Sequence, residues 1–197
     1  MSPGRPPGPE GMGKLVYSSL ASLDGYVADA SGRWDWAVPD EEVLAFLNAA
    51  EAGIGTYLYG RRIYELMTAW ETDPATAAQS DQSDAFASMW QRAEKVVYST
   101  TLTAVTTERT RLEPAFEPDA VRRLVDAAPH DVAVAGAVLA ATAFRAGLVD
   151  ELQLFLAPVL VGGGKRLFPD AVHVPLELTE ERRFANGMTF LRYAVLR

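Results

Sequence analysis

Across 197 residues the chain is 49% hydrophobic and 22% charged, enough for one substantial core and short for two. It contains no cysteine, which excludes disulfides, thiolate metal sites and a cysteine nucleophile and points to a reducing compartment. Basic residues number 18 against 26 acidic ones, and the resulting net charge of −8 opposes a nucleic-acid partner.

Residues 1–13, MSPGRPPGPEGMG, have no apolar face to bury and read as a flexible N-terminal arm ahead of a single domain over 14–197. No hydrophobic run follows Arg5 to serve as a signal-peptide core, and no apolar stretch approaches the roughly 20 residues of a membrane span. The expected location is the cytoplasm, with no membrane partner.

From Lys14 two periodicities alternate. KLVYSSLA reads as a buried strand, and Val43, Phe46, Leu47 and Ala50 recur at helical spacing after Asp40, a residue suited to an N-cap. IGTYLYG is a second strand, and helical period resumes in GRRIYELM through Ile63, Leu66 and Met67. A long polar linker follows. DAFASMWQRAEK is amphipathic through Phe86, Met89, Trp90 and Ala93, VVYST is a strand, and residues 118–128 form a helix on Val121, Leu124, Val125 and Ala128. DVAVAG is a strand and AVLAATAFRAG a helix closed by Gly147. The pattern then changes to strands, with DELQLFLAPVLVG followed by a hairpin that turns at Asn186-Gly187. Strand-helix units followed by terminal strands imply an α/β fold with a mostly parallel central sheet, helices on both faces and a C-terminal antiparallel hairpin.

Ligands of such sheets bind at the carboxyl ends of strands, beside helix N-termini. Two junctions qualify. Gly60-Arg61-Arg62-Ile63 combines a glycine, a helix start and two guanidiniums suited to phosphate; the other reading is a glycine turn with solvated arginines. Gly136-Ala137-Val138-Leu139 is the second, with close packing at a turn as its alternative. GIGTYL lacks the third glycine of a dinucleotide fingerprint, and GGGKR lacks the upstream glycine and the Ser or Thr of a P-loop. His130 and His173 stand alone and no metal-ligand cluster is visible.

In order and spacing, SLASLDGYVAD, YLYGRRIYE, VVYST, GLVDEL before PVLVGGG, and the closing hairpin resemble the reductase domain of bacterial riboflavin biosynthesis and its dihydrofolate reductase-like relatives, over about residues 13–197. The resemblance implies a dihydrofolate reductase-like α/β fold, NADPH as cofactor, a small-molecule substrate and a homodimer. It places the cofactor phosphates at Gly60, Arg61, Arg62 and Ile63, the adenosine half beside Ser99 and Thr100, and the pyrophosphate and nicotinamide against Gly136, Ala137, Val138 and Leu139. Pro158 to Phe168 becomes a strand and loop flanking the active site, with Gly162 and Gly163 lining the substrate pocket. Trp34 and Trp36 are available to cover a planar ring, or to pack.

A hydride acceptor gains negative charge, so a reductase needs a proton donor or hydrogen-bond partner near the accepting carbon. Asp24 and Asp40 are the candidate catalytic carboxylates; their alternative roles are an Asp-Gly turn and a helix N-cap. The chain departs from the riboflavin enzyme at Tyr26, where that enzyme carries lysine, and it lacks the H-x-E and P-C-x-x-C signatures of a deaminase domain. The expectation is a stand-alone reductase of a pterin-like or pyrimidine-like heterocycle, or else a non-catalytic nucleotide-binding or regulatory module of the same fold.

Overall fold

The computed structural model describes residues 13–197, so the expected N-terminal arm lies outside the described residues except for Gly13. In chain order the elements are β1 (Leu15–Ser22), β2 (Tyr26–Ala28), α1 (Glu41–Glu51), β3 (Ile54–Gly60), α2 (Arg61–Met67), α3 (Ala69–Thr72), α4 (Pro74–Ala77), α5 (Asp81–Arg92) and β4 (Glu94–Tyr98). They continue through β5 (Thr110–Glu113), α6 (Pro118–Ala127), β6 (Asp131–Ala135), α7 (Ala137–Arg145), β7 (Glu151–Ala157), β8 (Lys165–Arg166), β9 (Leu176–Arg183) and β10 (Thr189–Val195). Eight strands join in the order β5-β4-β3-β6-β1-β7-β10-β9, and β2 pairs separately with β8. Every pairing in the large sheet is parallel except those of β10, which runs antiparallel to β7 and β9.

The central strands read as continuous apolar runs because both of their faces are covered. Leu15, Tyr17, Leu58, Val132 and Val134 point to the side carrying α6 and α7. Val16, Tyr57, Tyr59 and Ala133 point to the side carrying α1, α2 and α5. α1 begins where Asp40 Oδ1 accepts the Val43 N–H at 3.0 Å, with Glu41 and Glu42 in the first turn favoured by the helix dipole. α5 begins where Ser80 Oγ accepts the Ser83 N–H at 3.1 Å. Its far end is closed by Lys95, fully buried, whose ammonium donates to the Trp90 carbonyl at 3.2 Å and lies 4.2 Å from that indole's centroid.

Several expectations are corrected. The polar stretch after Met67 is not a bare linker, because Asp73 Oδ1 caps Ala75 and Pro74 opens a short turn, while Trp70 docks on Phe86 with centroids 4.8 Å apart. The strand predicted through PVLVG stops at Ala157, since Pro158 has no N–H to continue the ladder with β10. The hairpin closes on Phe184, whose N–H donates to the Met188 carbonyl at 2.9 Å, with Gly187 at φ 86°. No helix among the described residues is long and apolar enough to cross a membrane.

One buried acid makes stability depend on pH. Glu51, at the end of α1, is 7% exposed and its Oε2 accepts the Tyr57 hydroxyl at 3.0 Å. Burial raises its pKa despite the hydrogen bonds from Ser18 and Tyr57. A raised folded-state pKa means that the native state binds the proton more tightly than the unfolded chain. The stability it contributes is therefore present below the ordinary glutamate range and lost as pH rises through the folded-state value. Glu51→Gln, which is neutral throughout, is expected to gain stability relative to the parent as urea melts move from about pH 4 to about pH 7.5. A gap that stays constant with pH would refute the assignment.

Candidate active site

A cleft of about 720 Å³ opens at the carboxyl ends of β3, β4 and β6. Gly60, Arg61, Arg62 and Ile63 line it from the start of α2, and Gly136, Val138 and Leu139 from the start of α7. The two predicted junctions therefore face one another; Ala137, buried at the first position of α7, does not line the cleft. Gly136 has φ 91°, and a Cβ there would lie 2.7 Å from Ile63 Cγ1, so only glycine lets the two helix starts approach this closely. At Gly60 a Cβ would meet nothing within 4 Å, and the glycine leaves open space at the mouth.

The two arginines differ in their surroundings. Arg61 Nε donates to Glu65 Oε1 at 2.7 Å and Nη1 to Thr101 Oγ1 at 3.1 Å, which fixes its guanidinium against the cleft wall. Arg62 has no hydrogen-bond or ion-pair partner among the described residues. Ser99 Oγ accepts the N–H groups of Thr101 at 3.2 Å and Leu102 at 3.0 Å, holding the turn after β4. Ser99 thus shapes this wall from behind, Thr100 is exposed and does not line the cleft, and Tyr98 and Thr101 do line it. Burial pushes the Tyr98 phenol up to about 12, so it stays protonated at neutral pH. The far part of the loop between β4 and β5 is tied to α2 by Tyr64, whose hydroxyl oxygen accepts the Thr106 and Thr107 N–H groups at 2.8 and 3.2 Å.

Sequence reasoning missed Glu65, Tyr98, Thr101, Ala135 and Lys165 as lining residues. Thr101 sat one residue beyond the predicted pair. Lys165 sat in the very GGGKR segment set aside as a failed P-loop.

That glycine loop is stitched to the turn between β1 and β2. Asp24 Oδ1 accepts the Val161 N–H at 3.2 Å and Oδ2 the Gly162 N–H at 2.8 Å. The Ser22 hydroxyl, with these two N–H groups, holds the exposed Asp24 carboxyl below its ordinary range. Leu23 donates to the Val159 carbonyl at 2.9 Å, Leu167 to the Gly25 carbonyl at 2.8 Å, and the buried Tyr17 hydroxyl to the Leu167 carbonyl at 3.0 Å. Gly162, at φ 72°, and Gly163 each leave more than 4 Å of free space around a would-be Cβ. Gly164 instead lies against the backbone of Ala28 and Asp29.

Asp40 and Trp36 are not part of the cleft lining. Asp40 serves α1 as N-cap through Oδ1 and leaves Oδ2 without a hydrogen bond. Trp36 is half-buried against the core on the α1 side, and its indole N–H is enclosed without a hydrogen-bond partner. Among the described residues no group of three or more His, Asp or Glu side chains could hold a metal ion.

Sheet order, a lone antiparallel β10 and a cleft between two helix starts define the α/β class built like dihydrofolate reductase. The RibD C-terminal domain family matches residues 13–190, and the chain belongs to that family. The protein YyaP of Bacillus subtilis (strain 168), itself uncharacterised, is 27% identical over 187 residues, covering 91% of this chain and 94% of that one. A putative riboflavin biosynthesis protein from Shewanella sp. PV-4 superposes with a TM-score of 0.73 at 21% identity, covering 93% of this chain and 99% of that chain. Dihydrofolate reductase from Enterococcus faecalis, complexed with NADP(H) and RAB-propyl, superposes with a TM-score of 0.59 at 13% identity, covering 93% and 97%.

Proposed function

We propose that the protein is an NADPH-dependent reductase of a small planar heterocycle, pterin-like or pyrimidine-like. The observation that carries this reading is the facing pair of helix starts, Gly60–Ile63 and Gly136–Leu139, across a cleft that holds Arg61 already oriented and Arg62 without an acidic partner among the described residues. The donor set suits a phosphorylated dinucleotide: guanidiniums and hydroxyls for phosphate, and a glycine where the two walls converge. NADP(H) in the Enterococcus dihydrofolate reductase, on the same fold, supports the same choice.

When bound, NADPH supplies the hydride. Arg61 and Thr101 hold the 2′-phosphate end, with Ser99 keeping the turn in place and exposed Thr100 beside it. Gly162 and Gly163 leave room for substrate beside the pinned loop, and half-buried Trp36, whose indole N–H is enclosed, offers an aromatic edge. Of the two carboxylates, Asp24 spends both oxygens on positioning the loop. Asp40 keeps a free oxygen for a hydrogen bond to substrate.

Calorimetric titration with NADPH and NADH tests the reading. NADPH is expected to bind at least about tenfold more tightly, a difference of about 1.4 kcal/mol. No binding of NADPH at millimolar concentration would overturn it. The second reading, a non-catalytic nucleotide-binding module, is favoured by one feature: the acid lining the cleft, Glu65, is committed to Arg61. Turnover of NADPH with a panel of dihydropterins and quinones, lost in Asp40→Asn, would exclude it, since asparagine preserves the helix cap.

We also propose a homodimer. On the α6/α7 side of the sheet Leu191, Tyr193 and Val195 are half-buried, and β9 places exposed Leu178 and Leu176 opposite Tyr193 and Val195. An apolar strip of this kind at a sheet edge favours a second copy. Light scattering is expected to give twice the 21.4 kDa chain mass. A value of one chain would refute it.

A further inference from the structure

Lys165 is left over from the site just described. It comes from GGGKR, it lines the same cleft as Arg62, and it has no acidic partner among the described residues. Its sequence neighbours make the contrast plain. Arg61 holds Glu65 at 2.7 Å and Arg166 faces Asp170 at 3.6 Å, yet Arg62 and Lys165, next to these arginines in sequence and lining the cleft, have no acidic partner among the described residues. Acids outnumber bases by 26 to 18 in this chain, so carboxylates were not scarce.

The two bare cations also sense one another. Burial first, and then the Arg62 guanidinium, lowers the pKa of the Lys165 ammonium. Two like charges converging on one cleft destabilise each other, and an anion between them reverses the sign of that interaction.

Lys165 is held in place rather than carried on a free loop. It pairs with Ala28 across the β2–β8 ribbon, where Arg166 opposes Tyr26. On one side Asp24 pins the N–H groups of Val161 and Gly162, and on the other Leu167, 2% exposed, is bonded through both its N–H and its carbonyl. A cation on so constrained a backbone binds with little ordering cost.

We propose that Arg62 and Lys165, from two separate chain segments, clamp one phosphate-ester anion in the cleft. This rests on the reductase reading for the source of the anion, the cofactor's diphosphate. The same chemistry would accept a phosphate carried by substrate. Arg61 and Thr101 then serve a second, separate phosphate, so the neighbouring arginines divide the work.

The test is calorimetry on the full chain with inorganic pyrophosphate, ADP-ribose, NADPH, ribose 5-phosphate and adenosine 2′-monophosphate. Lys165→Gln is expected to weaken pyrophosphate, ADP-ribose and NADPH by about tenfold or more, the size of one charge-assisted hydrogen bond, and to leave adenosine 2′-monophosphate unchanged. Lys165→Arg should restore most of the loss, which a merely structural role of the lysine would not predict. Arg62→Gln should match Lys165→Gln. Equal binding of pyrophosphate and NADPH by parent and Lys165→Gln overturns the clamp while leaving the reductase reading intact. Lys165-dependent binding of pyrophosphate and ribose 5-phosphate, without any dinucleotide binding, upholds the clamp for a substrate phosphate and defeats the reductase reading instead.

Discussion

Gly164→Ala is expected to cost about 3 kcal/mol of folding stability or more, a loss on the scale reserved for backbone strain and overpacking. Gly164 has φ 127°, a region that L side chains rarely adopt, and its Cβ would collide with the Ala28 carbonyl oxygen, 2.2 Å away, and the Asp29 carbonyl carbon, 2.5 Å away. The obstacles are backbone atoms, which have no rotamer to change. Relief requires parting β2 from β8, and the bond from Leu167 to Gly25 at 2.8 Å resists that. Gly163→Ala is the matched control, because its Cβ would meet nothing within 4 Å. Urea melts should show the first variant shifted strongly and the second by less than about 1 kcal/mol. Equal shifts would mean that the loop yields, and that Lys165 is not held as described. Loss of NADPH affinity should accompany loss of stability, since the same ribbon positions that cation.

This loop also marks where the sequence was hard to read. Its glycines, lysine and proline were visible, but their use depends on Asp24 and Ala28, more than 130 residues earlier, and no local period reports such a contact. The strands were legible for the opposite reason. Val16, Leu58 and Val134 lie in runs apolar enough to be buried on both faces, and Asp40 and Gly147 punctuate their helices through bonds made within a few residues. β5 escaped because Thr110–Glu113 is a four-residue edge strand with one face in solvent, and its alternation is too short to stand out. The two helix starts of the cleft were legible as strand-to-helix glycines, although the reason for Gly136 lies in Ile63, a residue from the other start. Tyr98 and Thr101 were not, since nothing in VVYSTT distinguishes the side chain that faces the cleft from the one that holds its turn.

Arg61→Ala is expected to reduce NADPH affinity by roughly 30- to 100-fold while leaving NADH nearly unchanged, because two charge-assisted hydrogen bonds to a 2′-phosphate are worth about 2 to 3 kcal/mol together. Glu65 decides whether that arginine is helped or hindered by its partner. The pair is separated by one helical turn and each side chain is nearly half-exposed, 48% and 46%, so the ion pair contributes only about 0.3 to 0.5 kcal/mol. Against that small orienting gain stands a carboxylate beside an incoming dianion, a repulsion of about 1 kcal/mol or more at surface-like dielectric. The larger effect should win. Glu65→Gln is therefore expected to tighten NADPH binding several-fold at low salt, with the gain shrinking as salt screens the removed charge. Thr101 supplies the remaining orientation through its 3.1 Å bond to Arg61, so Thr101→Val should weaken NADPH modestly and make the Glu65→Gln gain smaller. If Glu65→Gln instead weakened NADPH as much as Arg61→Ala, the carboxylate would be part of the binding geometry itself, and the 2′-phosphate would have to sit on the Arg62 side of the cleft.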